Sequence, residues 1–577
     1  MMSGMNGIGE DGIKRELEFL KNLIDVAAGR KKADLVIKSA NIVNVLTEEI
    51  YEADVAIFKD KIAGIGSYDG IEEFDAKNLY AVPGLIDGHT HIEMSMLSVT
   101  EFARVVVPRG TTSVVEDPHE IANVLGKEGI KVLLEGAKTT PLKVFCMVPS
   151  CVPSSHLETS GATIEAEDVR ELLNLAIGLA EVMNFPGVIN KDEEVIKKII
   201  YSKNHPIDGH APLLSGKALN AYVCAGIGSD HESISYDEAL EKLRLGMRVM
   251  IREGSAAKNL SNLIKIAGKR YTMLVTDGDR TVKDLIEQGY LDYVYRRAVE
   301  EGLDPIKALQ MCTINTAEWF GIDAGLIAPG RYADVVLLKN LERFEVVKVV
   351  ANGKIVGEVK RKFTYPEFVK KSVKIKKLTK EDIKIEGKGK ARIIKAIEGE
   401  IVTDEEVEYI EGVDVERDIL KIIVVERYGK GNIGKAYVRG FGLQRGALAS
   451  SVAHDAHNIV AVGTNDDDIC LAVNRVAELN GGIVVVDKSV KAELQLNIAG
   501  LMSEEEAEVV AEKFDKINDE LRKLGCKLSS PVFTLSFMAL PVIPKLKITD
   551  LGLIDVKKFE VVDVFVDSLS SSPIFKN

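Results

Sequence analysis

The sequence predicts an α/β fold: a (β/α)₈ TIM-type barrel, a small β-sandwich built from segments before and after the barrel, and a C-terminal α+β domain. From residue 80, apolar strands with polar ends alternate with amphipathic helices about eight times in roughly 200–250 residues. Short strand-like runs flank this region on both sides. A doubly wound sheet would show the same local alternation, but the strand count and the polar residues at the strand ends favour the barrel.

Composition narrows the class of protein. The chain has 577 residues, more than one ordinary domain needs, and its 46% hydrophobic and 28% charged residues are typical of a globular protein. A net charge of −14 disfavours nucleic-acid binding. Six cysteines without a CxxC pair predict neither a disulfide framework nor a zinc ribbon. We expect a cytoplasmic protein without membrane contact, since apolar runs of about 18 residues and a signal core are lacking.

The expected domain order follows these patterns along the chain. Helical periodicity over residues 11–28 predicts an N-terminal helix, and a Lys-rich stretch at 370–390 predicts a linker. The expected divisions are an N-terminal helical segment 1–30, a discontinuous β domain 31–79 and 325–375, a barrel 80–324 and a C-terminal domain 390–577. The eight barrel strands are expected at residues 81–89, 112–116, 143–148, 177–183, 207–210, 227–231, 248–252 and 272–276.

Histidine is scarce, and five of the nine histidines end predicted strands or begin the following loops. The strongest motif is PGLIDGHTHIE, in which His89 and His91 point the same way from an extended strand and can hold one divalent metal. Two exposed loop histidines are the alternative. The apolar strand that precedes them, with Pro83 and Gly84, favours the metal.

Further metal ligands are expected at the ends of later strands. Glu181 lies in an otherwise apolar fourth strand, where an unpaired carboxylate is unfavourable. His210, His231 and Asp277 end the fifth, sixth and eighth strands. Each taken alone has an ordinary interpretation, such as a salt-bridged core Glu or a turn-forming Asp. Their order on one face of a barrel favours a shared metal site.

These residue types indicate hydrolysis. Four histidines and two carboxylates suit two cations, which Glu181 could bridge. Two divalent ions lower the pKa of a shared water, and Asp277 could take the hydroxide proton and deliver it to the leaving group. The predicted catalytic residues are therefore Asp277 and Glu181, acting on an sp² carbon of an amide, a lactone or an amidine-like ring.

PGLIDGHTHIE, His210, His231, Asp277 and the split β unit resemble the amidohydrolase superfamily. Most of its dinuclear members carry a carboxylated Lys on the fourth strand, where this chain has Glu181. The phrases HIEMSM, VEDPHEIANVLG, AEVMNFPGV, DGHAP, SDHES and SVAHDAHNIVAVGTNDDD are similar to the adenine-deaminating branch, over nearly the whole chain. The C-terminal region is typical of that branch.

The resemblance implies that adenine and water give hypoxanthine and ammonia, a purine salvage reaction, through attack at C6 with Asp277 carrying the proton. It implies two Mn²⁺ or Fe²⁺ ions, with Zn²⁺ as an alternative. A homo-oligomer is expected by analogy. The chain lacks the PCxxC motif of the zinc cytidine deaminases, which again disfavours a nucleic-acid substrate.

Substrate contacts are expected among polar residues near the strand ends and in a C-terminal HDAHN motif: Glu93, Ser95, Asp117, His119, Glu120, His454, Asp455 and His457. Asp117 could instead cap a helix, and Glu93 and Ser95 could merely pack. The HDAHN motif could bind a metal, contact substrate or hydrogen-bond within its domain. Arg252 and Glu253 are expected to pair with each other or to act at the site.

Two other functions compete. A cyclic-amide hydrolase of the dihydropyrimidinase type would use the same barrel, but Glu181 in place of Lys counts against it. A non-catalytic scaffold should have lost some ligands, whereas every expected position is filled.

Overall fold

The computed structural model describes residues 10–566, so the ends of the first and last predicted segments lie outside the described residues. The chain forms two compact units. Unit 1 comprises Met1–Pro118, Lys131–Ser150 and Glu165–Thr364. Unit 2 comprises His119–Ile130, Cys151–Ile164 and Tyr365–Asn577. The finer four-part division stays a prediction.

Unit 1 begins with the predicted helix, α1 (Glu10–Ala27), followed by strands of an eight-stranded sheet with the order β16-β15-β14-β5-β1-β2-β3, in which β4 pairs with β1. Strand β1 (Ala33–Asn44) has a register shift around Ser39, whose φ is 52°. Antiparallel pairing of β5 with β14 joins the segments before and after the barrel region. The strands are β1 Ala33–Asn44, β2 Glu49–Phe58, β3 Lys61–Gly66, β4 Gly70–Asp75, β5 Tyr80–Pro83, β14 Val335–Asn340, β15 Glu345–Ala351 and β16 Lys354–Ile355.

Eight short strands between these segments run parallel, as predicted, in a five-stranded sheet (β10-β9-β8-β7-β6) and a three-stranded sheet (β11-β12-β13). This arrangement fits a TIM-type domain. The strands are β6 Leu85–Thr90, β7 Thr111–Glu116, β8 Lys143–Val148, β9 Gly178–Val182, β10 Ile207–Gly209, β11 Ser229–Asp230, β12 Arg248–Arg252 and β13 Thr272–Val275.

Gly84 divides the predicted strand 81–89, and this is a correction. Residues before it form β5 in the flanking sheet, and residues after it form β6. A Cβ atom at Gly84 would lie 2.2 Å from Thr112 Oγ1, so a larger residue would push the two strands apart. The chain therefore changes sheets at the one residue that permits this close approach.

Helices connect the parallel strands and cover the outside of their sheets. Apolar side chains from both sheets, such as Ile86, Met147 and Met250, pack with Ala317 and Phe320 of the last helix. The helices are α2 Val99–Val106, α3 His119–Ala137, α4 Ala166–Leu172, α5 Phe185–Asn190, α6 Glu193–Tyr201, α7 Gly216–Cys224, α8 Tyr236–Arg244, α9 Leu260–Leu263, α10 Val282–Glu287, α11 Leu291–Glu300, α12 Pro305–Met311 and α13 Ile314–Phe320.

Hydrogen bonds link the two parallel sheets at both of their borders. The Asp277 backbone N–H donates to the His89 carbonyl (3.1 Å), which joins the end of β13 to β6. At the other border, the Gly228 N–H donates to the Ile207 carbonyl (3.0 Å). The carboxyl ends of the parallel strands therefore converge, and this is the face on which barrel sites are built.

The described part of unit 2 contains an eight-stranded sheet (β18-β17-β20-β19-β22-β21-β23-β24), a three-stranded sheet (β25-β26-β27), the first part of α3 and the helices α14, α15 and α16. Leu378 and Ile383 are buried in its core beside Ile469 and Val473, so the prediction of a linker at 370–390 is wrong. The elements are β17 Gly389–Ala396, β18 Thr403–Ile410, β19 Leu420–Val425, β20 Ile433–Arg439, β21 Ala447–Ser450, β22 Ile459–Gly463, α14 Asp466–Glu478, β23 Gly482–Val486, β24 Val490–Gln495, α15 Ala507–Lys523, α16 Pro531–Phe537, β25 Leu546–Thr549, β26 Gly552–Asp555 and β27 Glu560–Val562.

Within residues 10–566, every helix is too short or too polar to cross a membrane.

Candidate metal centre

Six side chains of unit 1 meet at the carboxyl ends of the parallel strands. Five of them lie at or just beyond a strand end, and one lies within β9. Four of the six are almost fully buried, whereas His210 and Asp277 keep 22% and 15% of their side chains exposed and form the open side. The six residues are those that the sequence predicts as metal ligands: His89, His91, Glu181, His210, His231 and Asp277.

Glu181 lies between two pairs of imidazoles. Its Oε1 atom is 3.5 Å from His91 Nε2 and 4.0 Å from His89 Nε2. Its Oε2 atom is 2.7 Å from His210 Nδ1 and 3.3 Å from His231 Nε2. Each carboxylate oxygen therefore faces one histidine pair, which is the geometry that a carboxylate shared by two cations requires.

Asp277 completes the first pair. Its Oδ1 atom is 3.3 Å from Nε2 of both His89 and His91, and its Oδ2 atom accepts a hydrogen bond from Arg252 Nη1 at 2.5 Å. Asp277 adopts a left-handed backbone conformation (φ 57°) just after β13, and its N–H donates to the His89 carbonyl. The backbone therefore fixes where this carboxylate points.

The tautomers of the first histidine pair suit metal binding. His89 Nδ1 donates to Asp208 Oδ2 and His91 Nδ1 donates to the Asp117 carbonyl, each at 2.8 Å. With the proton on Nδ1, the neutral ring keeps a lone pair on Nε2, the atom that faces the cluster. A carboxylate or carbonyl behind the ring is the usual support of a metal-ligating histidine.

The carboxylates and imidazoles at the site shift one another's pKa values. Burial disfavours the charged form of Glu181, but His210 and His231 outweigh burial and hold the pKa of Glu181 well below its usual range. Burial would lower the pKa of His210, but Glu232 and Glu181 raise it to about 9. The two carboxylates thus create a negative potential that favours positive charge at His210.

The residues fit divalent metal ions. His89 Nε2 and His210 Nδ1 are buried and make no hydrogen bond to the residues that the structure describes. Donor atoms of His89, His231 and Asp277, and those of Glu181, His210 and His231, lie within 4.8 Å of one another. Atoms at these separations can share an ion at the usual ligand distance of about 2.0–2.2 Å.

Two carboxylates beside the centre were not predicted: Asp208 and Glu232. Arg252 Nη1 donates to Glu232 Oε1 (2.7 Å) as well as to Asp277, so the prediction that Arg252 pairs with Glu253 is wrong. Glu253 instead accepts a hydrogen bond from the Leu260 N–H. Asp208 lies in β10, two residues before His210, and that spacing was the available signal.

Three predicted substrate residues belong to unit 1, and the structure engages them locally. Glu93 is buried next to Glu116. Burial and the negative charge of Glu93 together raise the pKa of Glu116 well above its usual range. The Ser95 hydroxyl donates to the Ile92 carbonyl at 2.6 Å. Asp117 holds His91 through its backbone carbonyl. These contacts describe loop packing and ligand support, and a substrate contact by the three residues stays a prediction.

The other predicted substrate residues form a buried cluster in unit 2. His454 Nδ1 is 2.8 Å from Glu120 Oε1, and His457 Nε2 contacts Glu120 Oε2. His119 Nε2 lies 3.6 Å from Glu120, and Asp455 is beside His454. The structure therefore brings the HDAHN motif together with the start of α3 around one carboxylate, which we call the Glu120 cluster (His119, Glu120, His454, Asp455 and His457).

The Glu120 cluster offers poor metal geometry despite its ligand types. The Ala453 backbone N–H donates to His457 Nδ1 at 3.2 Å, so neutral His457 carries its proton on Nε2. That atom faces Glu120 and donates a hydrogen bond to it. A metal at this position would need a lone pair on Nε2, which this tautomer does not have.

The chain is similar to known proteins in sequence and in structure. Residues 80–356 match the amidohydrolase family, and residues 395–560 match the adenine deaminase C-terminal domain. An adenine deaminase of Archaeoglobus fulgidus is 63% identical over 96% of this chain and 99% of its own length. One of Dehalococcoides mccartyi is 48% identical over 94% and 99%. The structure of a β-aspartyl dipeptidase from Fervidobacterium islandicum is 20% identical, with a TM-score of 0.44 over 57% of this chain and 99% of that one.

Parallel strands with imidazoles and carboxylates at their carboxyl ends, and the match over residues 80–356, define a metal-dependent hydrolase of the amidohydrolase family. The identity of 63% over nearly the full length narrows this class. The chain belongs to the adenine deaminase family.

Proposed function

We propose that this protein is an adenine aminohydrolase, which converts adenine and water to hypoxanthine and ammonia. One observation carries the proposal: Glu181 lies between two imidazole pairs, with Asp277 at the open side, in a chain 63% identical to a curated adenine deaminase. The reaction would serve purine salvage, in the cytoplasm, with a free base and not a nucleic acid as substrate.

Two divalent cations, Mn²⁺ or Fe²⁺ with Zn²⁺ as the alternative, would lower the pKa of a water molecule when bound. His89, His91, Asp277 Oδ1 and Glu181 Oε1 would hold one of them. His210, His231 and Glu181 Oε2 would hold the other.

Asp277 is the proton carrier in this proposal. The water oxygen bonds to C6, the C6–N6 bond breaks, and Asp277 passes one water proton to N6, so that ammonia leaves. The second water proton remains on the purine product as its lactam N–H. General acid–base catalysis of this type contributes about 10²–10⁴-fold to the rate.

Arg252 positions Asp277 for this transfer. Its guanidinium bonds both Asp277 Oδ2 and Glu232 Oε1, so it ties the proton carrier of β13 to the loop that follows β11. Burial alone would lower the pKa of Arg252, but Glu232 and Asp277 raise it. Arg252 thus stays charged, and Asp277 keeps Oδ1 facing the histidines.

Purine contacts are proposed for Glu93, Ser95, Asp117, His119, Glu120, His454, Asp455 and His457. Glu120 supports this role best, since two imidazoles hold it as an oriented, ionised acceptor for a ring N–H. His454 and His457 lower its pKa against the effect of burial. If Glu120 binds adenine, Glu120→Gln raises KM more than it lowers kcat.

The finer architecture is part of the proposal. We infer that the two parallel sheets close into one eight-stranded barrel, because hydrogen bonds join them at both borders. The flanking sheet would fold over itself as a sandwich. A homo-oligomer is also expected.

The test is ammonia release with metal analysis on the full-length chain. Adenine should be turned over, with two ions per chain, and adenosine, guanine and dihydrouracil should not. Turnover of dihydrouracil without adenine would select the cyclic-amide hydrolase instead. Absence of both metal and turnover would leave the non-catalytic scaffold.

Matched variants make the test specific. Asp277→Asn should reduce kcat about 10²–10⁴-fold, as expected for loss of the proton carrier. Asp237→Asn replaces an exposed carboxylate of α8 and should keep full activity. His210→Asn should lower the metal content, whereas His156→Asn, at an exposed histidine, should not.

A further inference from the structure

Helix α1 is apolar on two sides. One side, with Phe19, Leu23 and Val26, packs onto the sheet of its own chain near Phe58. The other side carries four large apolar residues that are 49–59% exposed: Ile13, Leu17, Leu20 and Ile24. A helix that is apolar on both sides is normally covered on both sides.

The exposed residues, which we call the α1 stripe, follow a coiled-coil pattern. They are separated by four, three and four positions, the spacing of alternating core positions in a heptad repeat. A helix of 18 residues is about 27 Å long, and the α1 stripe runs along most of it. Such a stripe matches an identical stripe on a second helix.

The charges beside the α1 stripe are self-complementary. Glu16 and Lys21 lie on opposite flanks, five residues apart, in the positions that face each other between parallel coiled-coil helices. Both are exposed, and neither forms an ion pair with another residue between positions 10 and 566. In a two-fold parallel pair, Glu16 of each copy would face Lys21 of the other.

We propose that the α1 stripe is a homodimer interface, where α1 pairs in parallel and in register with α1 of a second copy. An antiparallel pair would instead bring Lys14 and Lys21 of the two copies together. A lipid surface fits less well, because α1 has five acidic and three basic residues and the chain carries a charge of −14.

The interface is small. Two helices alone cover less than the roughly 800 Å² per partner of a typical stable complex. The dimer should therefore dissociate on dilution. This proposal is independent of the catalytic one, because its residues lie outside the metal centre and its readout is mass.

The first test is light scattering of the full-length protein over a range of concentrations. The mass of the wild type should rise with concentration, and Leu17→Lys/Leu20→Lys should halve it while ammonia release per chain is kept. Ile71→Lys, at a 72% exposed residue of β4, is the control and should leave the mass unchanged. An unchanged mass in the double variant overturns the proposal, and so does a monomeric wild type that binds lipid vesicles.

Charge exchange tests the partner without touching apolar residues. Glu16→Lys and Lys21→Glu should each weaken the dimer, because like charges then face each other twice. A mixture of the two variants should restore it as a heterodimer with two opposite-charge pairs. Equal masses for the single variants, the mixture and the wild type would contradict a parallel pair.

Cross-linking tests the register. Cys224 is exposed and the other five cysteines are buried, so Cys224→Ser provides the background. Leu20→Cys should then form a disulfide-linked dimer under mild oxidation, since core positions meet their own copies in a parallel pair. Glu18→Cys, which faces away from the stripe, should stay monomeric on the gel. Cross-linking of Glu18→Cys but not Leu20→Cys would refute the register.

Discussion

The candidate metal centre of unit 1 and the Glu120 cluster of unit 2 contain the same residue types, but their histidines are hydrogen-bonded differently. In each, a buried glutamate faces imidazoles that hold its pKa below the usual range. At the metal centre, Asp208 and a backbone carbonyl take the Nδ1 protons and leave Nε2 lone pairs facing inwards. In the Glu120 cluster, a backbone N–H occupies His457 Nδ1 and turns the Nε2 proton toward the carboxylate. The atom behind the ring decides whether a histidine can bind a metal.

The largest expected effect comes from replacing Glu181, and it should distinguish Glu181 from Glu120. Glu181→Gln removes the carboxylate that both histidine pairs share, so we expect loss of bound metal and at least about 10³-fold lower kcat/KM, a barrier increase of about 4 kcal/mol. Metal analysis and ammonia release measure both. Two ions per chain in Glu181→Gln would show that Glu181 is not a ligand.

Asp208 tests the support behind a ligand. Asp208→Asn weakens the acceptor of the His89 Nδ1–H, so the metal affinity should fall about 10–100-fold. Unlike Glu181→Gln, this variant should regain activity in excess metal. Titration of the apo-enzyme with Mn²⁺ measures the shift, and an unchanged midpoint would mean that Asp208 only packs.

Glu120→Gln should leave the metal content unchanged and lower stability. The variant replaces the charged acceptor of His454 and His457 with a neutral amide, whose NH₂ group cannot accept a hydrogen bond from one of these buried imidazoles. We therefore expect about 1–3 kcal/mol of destabilisation. The measurements are metal per chain and the Tm. If an ion were lost with Glu120, the tautomer argument for His457 would be wrong.

Glu158 shows what burial does to a carboxyl without imidazole partners. Burial, with Asp455 nearby, raises the pKa of Glu158 from 4.5 to about 8. Its folded form binds the proton more tightly, so the stability it contributes is complete below pH 4.5 and declines until about pH 8. Between pH 7 and 8 the wild type should lose about 1 kcal/mol relative to Glu158→Gln. If the unfolding free energies of the wild type and Glu158→Gln changed equally between pH 7 and 8, the pKa of Glu158 would lie outside that range.

The sequence pattern predicted which side chains come together at the candidate metal centre. Strand ends converge in a parallel sheet, so His89, His91, His210 and His231 could be placed together from strand positions alone. Asp208 could have been added to the predicted site, because it is two residues before His210 and an extended chain places residues i and i+2 on the same face. Side-chain contacts between strands could not be predicted from the sequence. Arg252 contacts Glu232 and Asp277 because of its rotamer, and the spacing of residues along the chain does not reveal a rotamer.

In two other places, tertiary contacts made the structure differ from what the local sequence predicts. Residues 370–390 are Lys-rich and were predicted as a linker, yet Leu378 and Ile383 are buried in the core of unit 2 and anchor the stretch there, while most of its other side chains stay exposed. Gly84 was included in a continuous strand because nothing local marks a change of sheet. The reason lies in Thr112, a residue that only the folded chain brings close.

The pairing of β5 with β14 affects how the chain is made. Val82 lies opposite Val336, so the amino-terminal strands emerge from the ribosome long before the strand that completes their sheet. At about 5–20 residues per second, β5 is an unpaired edge for roughly 10–50 seconds. Such edges attract other strands. Nascent chains should be most prone to aggregation in that interval, and a chaperone that shields β-edges should raise the yield most when translation is slow.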